Sequence, residues 1–306
     1  MKIRLIENFR AMFYTPFYAT AELGAYRAEG LEVEIVTAGS PEQTHGMLAA
    51  GGAQMSWGGP MRIMLARDAD PTSRTVAFCE VVGRDPFFLL GRTPNPNFRM
   101  QDLLDKKVAI VTEVPTPWVC LQHDLRAAGI DPAAVTRTRS RTMGENVELL
   151  RAGEVDVIQV FQPFAQTLLD EGAAHLWYVA ASRGPACYTT LNTTRDFIES
   201  NADTLLAMAR AVYRAQKWIA AHSGRELADI VGRYLPDIPP PVLAACCDGY
   251  KATHVWSRSP LVQRAGIEYK REAMLSSGSI KTGYPYEDYV DNRFAEAAVR
   301  ENPPSI

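Results

Sequence analysis

Two periodicities alternate along this chain, and each switch between them falls at a recognisable stop. Ile3, Leu5 and Ile6 open a strand. Thr15-Pro16 then predicts a helix start, with Thr15 as cap and Pro16 at the first helical position, and Gly24 predicts its end. Leu31, Val33 and Ile35 alternate with Glu32 and Glu34, the period-two signature of a strand with one wet face. Ser40-Pro41-Glu42-Gln43 reads as a capping box with a proline inside it, and Gly51-Gly52 as the stop of that helix. Residues 53–57 form a short strand, Gly58-Gly59-Pro60 turns into a helix through Leu65, and residues 76–82 and 87–90 read as buried strands.

A second unit repeats the alternation. A short helical turn opens at Asp102, KVAIV at 107–111 is a parallel-type strand, and Thr112-Glu113-Val114-Pro115 leads into a helix ending near Gly129. Residues 135–139 read as a strand, Thr142-Met143-Gly144-Glu145 as a capping box, and 155–161 as a strand. Gln162-Pro163-Phe164 starts another helix, followed by strands at 176–180 and 188–191. After Asn192 the pattern is helical, interrupted by the prolines of 236–241.

The predicted class is α/β: two Rossmann-like lobes joined by two hinge strands, with a helical C-terminal tail on the first lobe. Residues 1–90 plus 190–306 form lobe 1, and 91–189 an inserted lobe 2. Segments 87–92 and 187–192 are expected to cross between the lobes and leave a ligand cleft.

Composition narrows the function. The chain has 306 residues, 22% charged and 47% hydrophobic, with a net charge of −3, and no basic face implies a nucleic-acid partner. No apolar run is long enough to span a bilayer. The cysteines, Cys79, Cys120, Cys187, Cys246 and Cys247, are odd in number and scattered, which fits neither a disulfide framework nor a zinc site. They read as small buried hydrophobes. The five histidines show no metal spacing, and GxSxG, GxxxxGK[ST] and GxGxxG motifs are missing. No catalytic residue, metal or cofactor is therefore assigned.

Binding chemistry is better supported, because polar, aromatic and glycine residues gather where strands end and helices begin, the edge at which α/β sheets hold small molecules. Asn8, Phe9, Arg10, Phe13 and Tyr14 follow the first strand. Ser56, Trp57, Gly58 and Gly59 close the third, where adjacent glycines let the backbone approach a ligand. Glu80 and Arg84 follow the fourth. Thr112, Glu113, Thr116 and Trp118, then Gln162 and Phe164, open helices of the second lobe, and Arg183 precedes the return crossing. Arginines favour an anionic ligand group and the two glutamates a cationic or donating one, so ligand charge stays open.

The segments TPFYATAELGAYRAEGLEVEIV, MLAAGGAQMSWGGP, LRAAGIDPAAV, LLRAGEVDVIQVFQPFAQ and SSGSIKTGYPYEDYVDNRFAEAA, in this order, resemble solute-binding proteins of ABC importers. The likeness is to the group that binds sulfonates, nitrate and thiamine-pyrimidine precursors, and it covers nearly the whole chain. It implies a type II periplasmic-binding-protein fold, a small organic ligand between the lobes, hinge closure and docking onto a membrane permease. The implied ligand residues are Phe9, Arg10, Tyr14, Trp57, Gly58, Gly59, Thr112 to Thr116, Gln162 and Arg183, with Glu80 added from its strand-end position. The chain departs from the pyrimidine binders, whose first strand is followed by a DWTPN-type segment; here it is ENFRAMFYTP. It also lacks the cysteine-rich CCCFC motif and cofactor lysine of the yeast-type pyrimidine synthases, so a cytosolic enzyme or sensor on the same fold is the second reading. The first reading implies a periplasmic monomer whose signal peptide has been removed, and Met1 as a true start implies a cytoplasmic protein.

Overall fold

A computed structural model describes residues 2–38, 40–139 and 141–306; Met1 lies outside them. The chain begins with β1 (Lys2–Glu7), a 3₁₀ turn over Met12–Tyr14, α1 (Thr15–Glu22), α2 (Ala25–Ala28), β2 (Glu32–Thr37), α3 (Pro41–Ala49), β3 (Met55–Gly58), α4 (Met61–Ala69) and β4 (Thr75–Val82). It continues through β5 (Phe88–Gly91), β6 (Val108–Ala109), α5 (Thr116–Ala127), α6 (Met143–Arg151), β7 (Val157–Val160), α7 (Phe164–Asp170) and β8 (His175–Val179) to β9 (Thr189–Thr194). The tail comprises α8 (Arg195–Ser200), α9 (Ala202–Ala221), α10 (Gly224–Val231), α11 (Pro240–Ala252), α12 (Arg264–Ser276), α13 (Tyr286–Tyr289) and α14 (Arg293–Glu301).

The strands form two sheets, ordered β2-β1-β3-β9-β4 and β6-β7-β5-β8. The β2-β1-β3 run is parallel, and β9 enters antiparallel between β3 and β4. In the second sheet β5 runs antiparallel to both β7 and β8. Segment 88–91 is thus a strand of the second sheet and segment 189–194 a strand of the first. The chain passes between sheets just outside them, at 83–87 and 184–188. These two passages bond to each other: Ala186 N donates to Gly83 O at 2.8 Å and Tyr188 N to Val82 O at 2.7 Å.

The local signals act as their chemistry dictates, with instructive exceptions. Gly24 adopts φ 74°, a left-handed stop that costs a glycine little. Thr142 and Glu145 form a reciprocal capping box at α6. Thr15 is not a cap: the preceding 3₁₀ turn takes up the start, Tyr14 occupies the cap position, and the Thr15 hydroxyl donates back to Met12 O at 2.7 Å. At α3 the Ser40 hydroxyl accepts from Gln43 N at 3.2 Å, the one bond of the expected box that is described. Segment 135–139 forms no strand but a single bridge, Val108–Arg137, with Val108 N donating to Thr136 O at 2.9 Å and Thr138 N to Val108 O at 3.0 Å.

One core cluster runs through both units. Ile3 and Leu5 of the first sheet and Ile158 and Val160 of the second belong to it, joined by Phe13, Phe87, Phe161 and Tyr188. The buried stripe of α9, with Leu205, Met208 and Val212, seals the far side of the first sheet. Among the described residues no helix is long and apolar enough to cross a membrane.

Candidate functional site

The carboxyl ends of β1 and β3 face the start of α5 across a cavity of about 40 Å³. Asn8, Phe9, Phe13, Tyr14, Gly59, Met61 and Arg62 line it from the first unit, Val114, Pro115 and Thr116 from the second, and Tyr188 and Thr189 from the return passage. A narrower space of about 10 Å³ lies beside it and shares Asn8, Gly59 and Arg62 with it. The Thr116 hydroxyl reaches across to Met61 Sδ at 3.2 Å, so α4 and α5 already touch over the gap. Neither helix has a side-chain cap at its start, Pro60 and Pro115 holding the cap positions. Their first-turn N–H groups therefore turn positive helix ends toward the cavity.

The wall behind the cavity is aromatic. Phe13 meets Tyr14 at 4.3 Å, Phe161 at 5.2 Å and Tyr188 at 5.9 Å between ring centroids, and Phe87 meets Phe161 at 5.2 Å. These rings come from the 3₁₀ turn after β1, from the residue after β7 and from both passages. The backbone approaches closely at the mouth: a Cβ on Gly59 would stand 3.2 Å from Tyr188 O. Asn8 donates to the Tyr14 hydroxyl at 3.3 Å, and burial pushes that phenol's pKa up, keeping it protonated. In the side space His45 is held below the ordinary histidine range, first by burial and then by the Arg62 charge.

Of the residues singled out in the sequence, Phe9, Tyr14, Gly59 and Thr116 line this cavity, together with Asn8, Phe13, Val114 and Pro115. Gly58 and Trp57 border the side space, but Trp57 is a core residue, 0% exposed and stacked on Phe17 at 4.3 Å and 7°. Arg10 turns away to pair with Glu7 at 2.6 Å and to lie over the rings of Tyr18 and Tyr234. Glu7 is further bound by the Tyr18 and Thr37 hydroxyls, and this buried carboxylate is what draws Arg10 off. Glu80 is 0% exposed and accepts from Ser257 Oγ, Gln263 Nε2 and Gln263 N, tying β4 to the tail. Thr112 donates to Arg141 O, and Glu113 accepts from Met143 N, so both fasten α6 to the loop before α5. Gln162 Oε1 accepts from Gln166 N, and its backbone N–H donates to the Tyr250 hydroxyl oxygen at 3.0 Å. Arg183 is buried between Asp85 and Asp124.

The lining residues Met61, Arg62, Tyr188 and Thr189 carried no binding expectation from sequence. Arg62 could have been reached by following the SWGGP turn one step into its helix. Tyr188 read as an ordinary strand residue, and nothing local marks it. Among the described residues no group of three or more His, Cys, Asp or Glu could hold a metal ion.

Comparison with known proteins places this geometry. The family model described as "NMT1/THI5 like" matches residues 12–225. A Bacillus subtilis (strain 168) protein named "Putative binding protein YtlA" is 24% identical over 98% of this chain and 90% of its own. The periplasmic aliphatic sulphonate binding protein SsuA from Escherichia coli superposes with a TM-score of 0.75 at 14% identity, over 92% of this chain and 94% of that one. The alkanesulfonate-binding protein SsuA from Xanthomonas axonopodis pv. citri, bound to MOPS, gives 0.72 at 12% identity, over 95% and 98%. The desulfurization enzyme DSZB shares the fold too, with a TM-score of 0.70 at 13% identity over 98% of this chain and 100% of its own. The two-lobed architecture expected from the sequence is therefore the periplasmic-binding-protein fold, and that fold carries both binders and an enzyme.

Proposed function

Because this chain belongs to the NMT1/THI5-like family, we propose that it is the solute-binding receptor of an ABC importer, taking a small organic molecule between its two units. The observation that carries this reading is the cavity itself, lined from both sheets and from the passage between them. Phe9, Tyr14, Gly59 and Thr116 are its ligand contacts, joined by Asn8, Phe13, Met61 and Tyr188. Apolar and aromatic walls with a few convergent polar groups suit a small organic solute. The space of about 40 Å³ is far below the roughly 300 Å³ at which ligand pockets begin, so the units separate to admit a solute and close over it. The lobes are residues 1–90 with 190–306, and 91–189, hinged at the two bonded passages. The receptor acts as a periplasmic monomer that presents the closed form to its permease.

The test is calorimetric titration with MOPS, alkanesulfonates, aromatic acids, pyrimidines and amines, with small-angle scattering to follow closure. A binder should compact the protein, and Phe9→Ala should weaken it about tenfold or more while leaving the fold intact. Unchanged affinity in both Phe9→Ala and Thr116→Ala would remove this cavity as the binding site.

A further inference from the structure

Helix α12 makes a junction between the two units that is separate from the two passages. Its first turn is pressed against the return passage: a Cβ on Gly266 would stand 2.8 Å from Cys187 N, so the helix lies directly on that backbone. Its other neighbour is α5 of the second unit. Val119 of α5 belongs to the same buried cluster as Ile267, Ala273 and Met274 of α12 and Met61 and Met64 of α4. Beside it the Tyr269 hydroxyl donates to Cys120 O at 3.5 Å, and His123 meets the Tyr269 ring at 5.3 Å and Ser276 Oγ at 3.3 Å. Residues 119, 120 and 123 share one face of α5, so the seam runs along both helices.

Within this seam sits an ammonium. Lys270 is 0% exposed. Its hydrogen bond goes to Cys120 Sγ at 3.4 Å, a weak acceptor for a group with three donors. Burial pushes the Cys120 thiol up, against the Lys270 charge, so the acceptor is a neutral thiol. The face of the Tyr188 ring, with its centroid 4.8 Å from Nζ, compensates in part. The carboxylates whose charge reaches Cys120 and Cys187 are committed elsewhere, Asp85 to Arg183 and Glu80 to Ser257 and Gln263. A buried cation with so little to accept its protons is unfavourable unless water reaches it.

Movement about the passages changes that burial. Helix α12 is seated on the return passage and packs with α4, whereas α5 travels with the second unit. Parting the units lifts Cys120 off Lys270 and lets water onto the ammonium. We propose that Lys270 is a spring in the α5–α12 seam: its burial opposes closure, biases the unliganded receptor toward the open cleft, and is offset by the binding energy of the solute. This inference rests on the receptor reading. It adds a residue that sets the closure equilibrium from outside the cavity lining, and apparent affinity scales with the fraction of receptor in the binding-competent form.

The experiment is small-angle scattering on the full chain with no solute added, so it needs no identified solute. Each curve is fitted as a mixture of the structure described above and a form opened about the two passages. Lys270→Met keeps the length and packing and removes the charge. Cys120→Ser keeps the charge and gives it a better acceptor. Both should raise the closed fraction at least about threefold from a wild type that is mostly open. Urea unfolding of the same variants exposes a merely structural role: altered stability with an unchanged closed fraction in Lys270→Met overturns the proposal. Should that variant fail to fold, an unchanged closed fraction in Cys120→Ser overturns it. A wild-type curve that already matches the closed form overturns it as well, while the receptor reading stands or falls separately on the calorimetric titration.

Discussion

Arg183 offers the sharpest check on how this structure assigns its charges. The sequence places it at the end of a strand, as a ligand-binding arginine; the structure encloses it. Its side chain is 6% exposed, against 1% for Asp85 and 12% for Asp124. One guanidinium nitrogen meets Asp85 Oδ2 and another Asp124 Oδ2, while Nε adds a bond to Asp124 Oδ2 at 3.2 Å. Asp85 also accepts from Phe87 N at 3.0 Å, and Asp124 from the Tyr178 hydroxyl at 3.2 Å. The cluster therefore joins one passage to α5 and β8. Arg183→Ala strands two buried carboxylates, and breaking such a pair costs about 3–5 kcal/mol. At about 1.4 kcal/mol per tenfold, the folding equilibrium falls by roughly two to three and a half powers of ten. Urea unfolding followed by circular dichroism reads this directly. Removing all the charges together, as Arg183→Met with Asp85→Asn and Asp124→Asn, should recover most of the loss, because the penalty lies in the unpaired charges. Stability within about 0.5 kcal/mol of wild type, combined with lost ligand affinity, would refute the argument and return Arg183 to the site.

Two further outcomes follow from burial. Trp57→Ala should destabilise by about 3–5 kcal/mol in urea, since it empties a fully buried position stacked on Phe17; a pure affinity loss at unchanged stability would show that the indole serves the ligand instead. Glu80 has its pKa raised above 4.5, chiefly by burial, so the folded state holds this proton more tightly than the unfolded one. Its contribution is full below about pH 4.5 and is lost as pH rises through the folded value. Urea melts from pH 4 to pH 8 should therefore show Glu80→Gln gaining on the wild type as pH rises, and a constant difference would contradict the shift.

The elements were legible because their signals are local. The αL glycine at 24 and the Thr142–Glu145 box act over a few residues, and the sequence states them outright. The misread segment at 135–139 shows the boundary of that logic: its alternation fits a strand, yet it joins the sheet by a single bridge. The site divided the same way. Phe9, Tyr14, Gly59 and Thr116 sit at strand ends and helix starts and line the cavity. Arg10, Glu80 and Arg183 sit at equally good positions in the chain, but buried partners far away in sequence had first claim on their charges.

The sequence alone determined two alternating units, their capped helices, the helical tail and the likeness to solute receptors, because periodicity and capping are short-range properties. Only the tertiary structure decided which charges are spent and which face the cleft. Arg183 is enclosed by Asp85 from the first passage and Asp124 from α5, and Glu80 is bound by Ser257 and Gln263 from the tail. Electrostatic pairing follows distance in space, and that distance is set by how the two sheets pack.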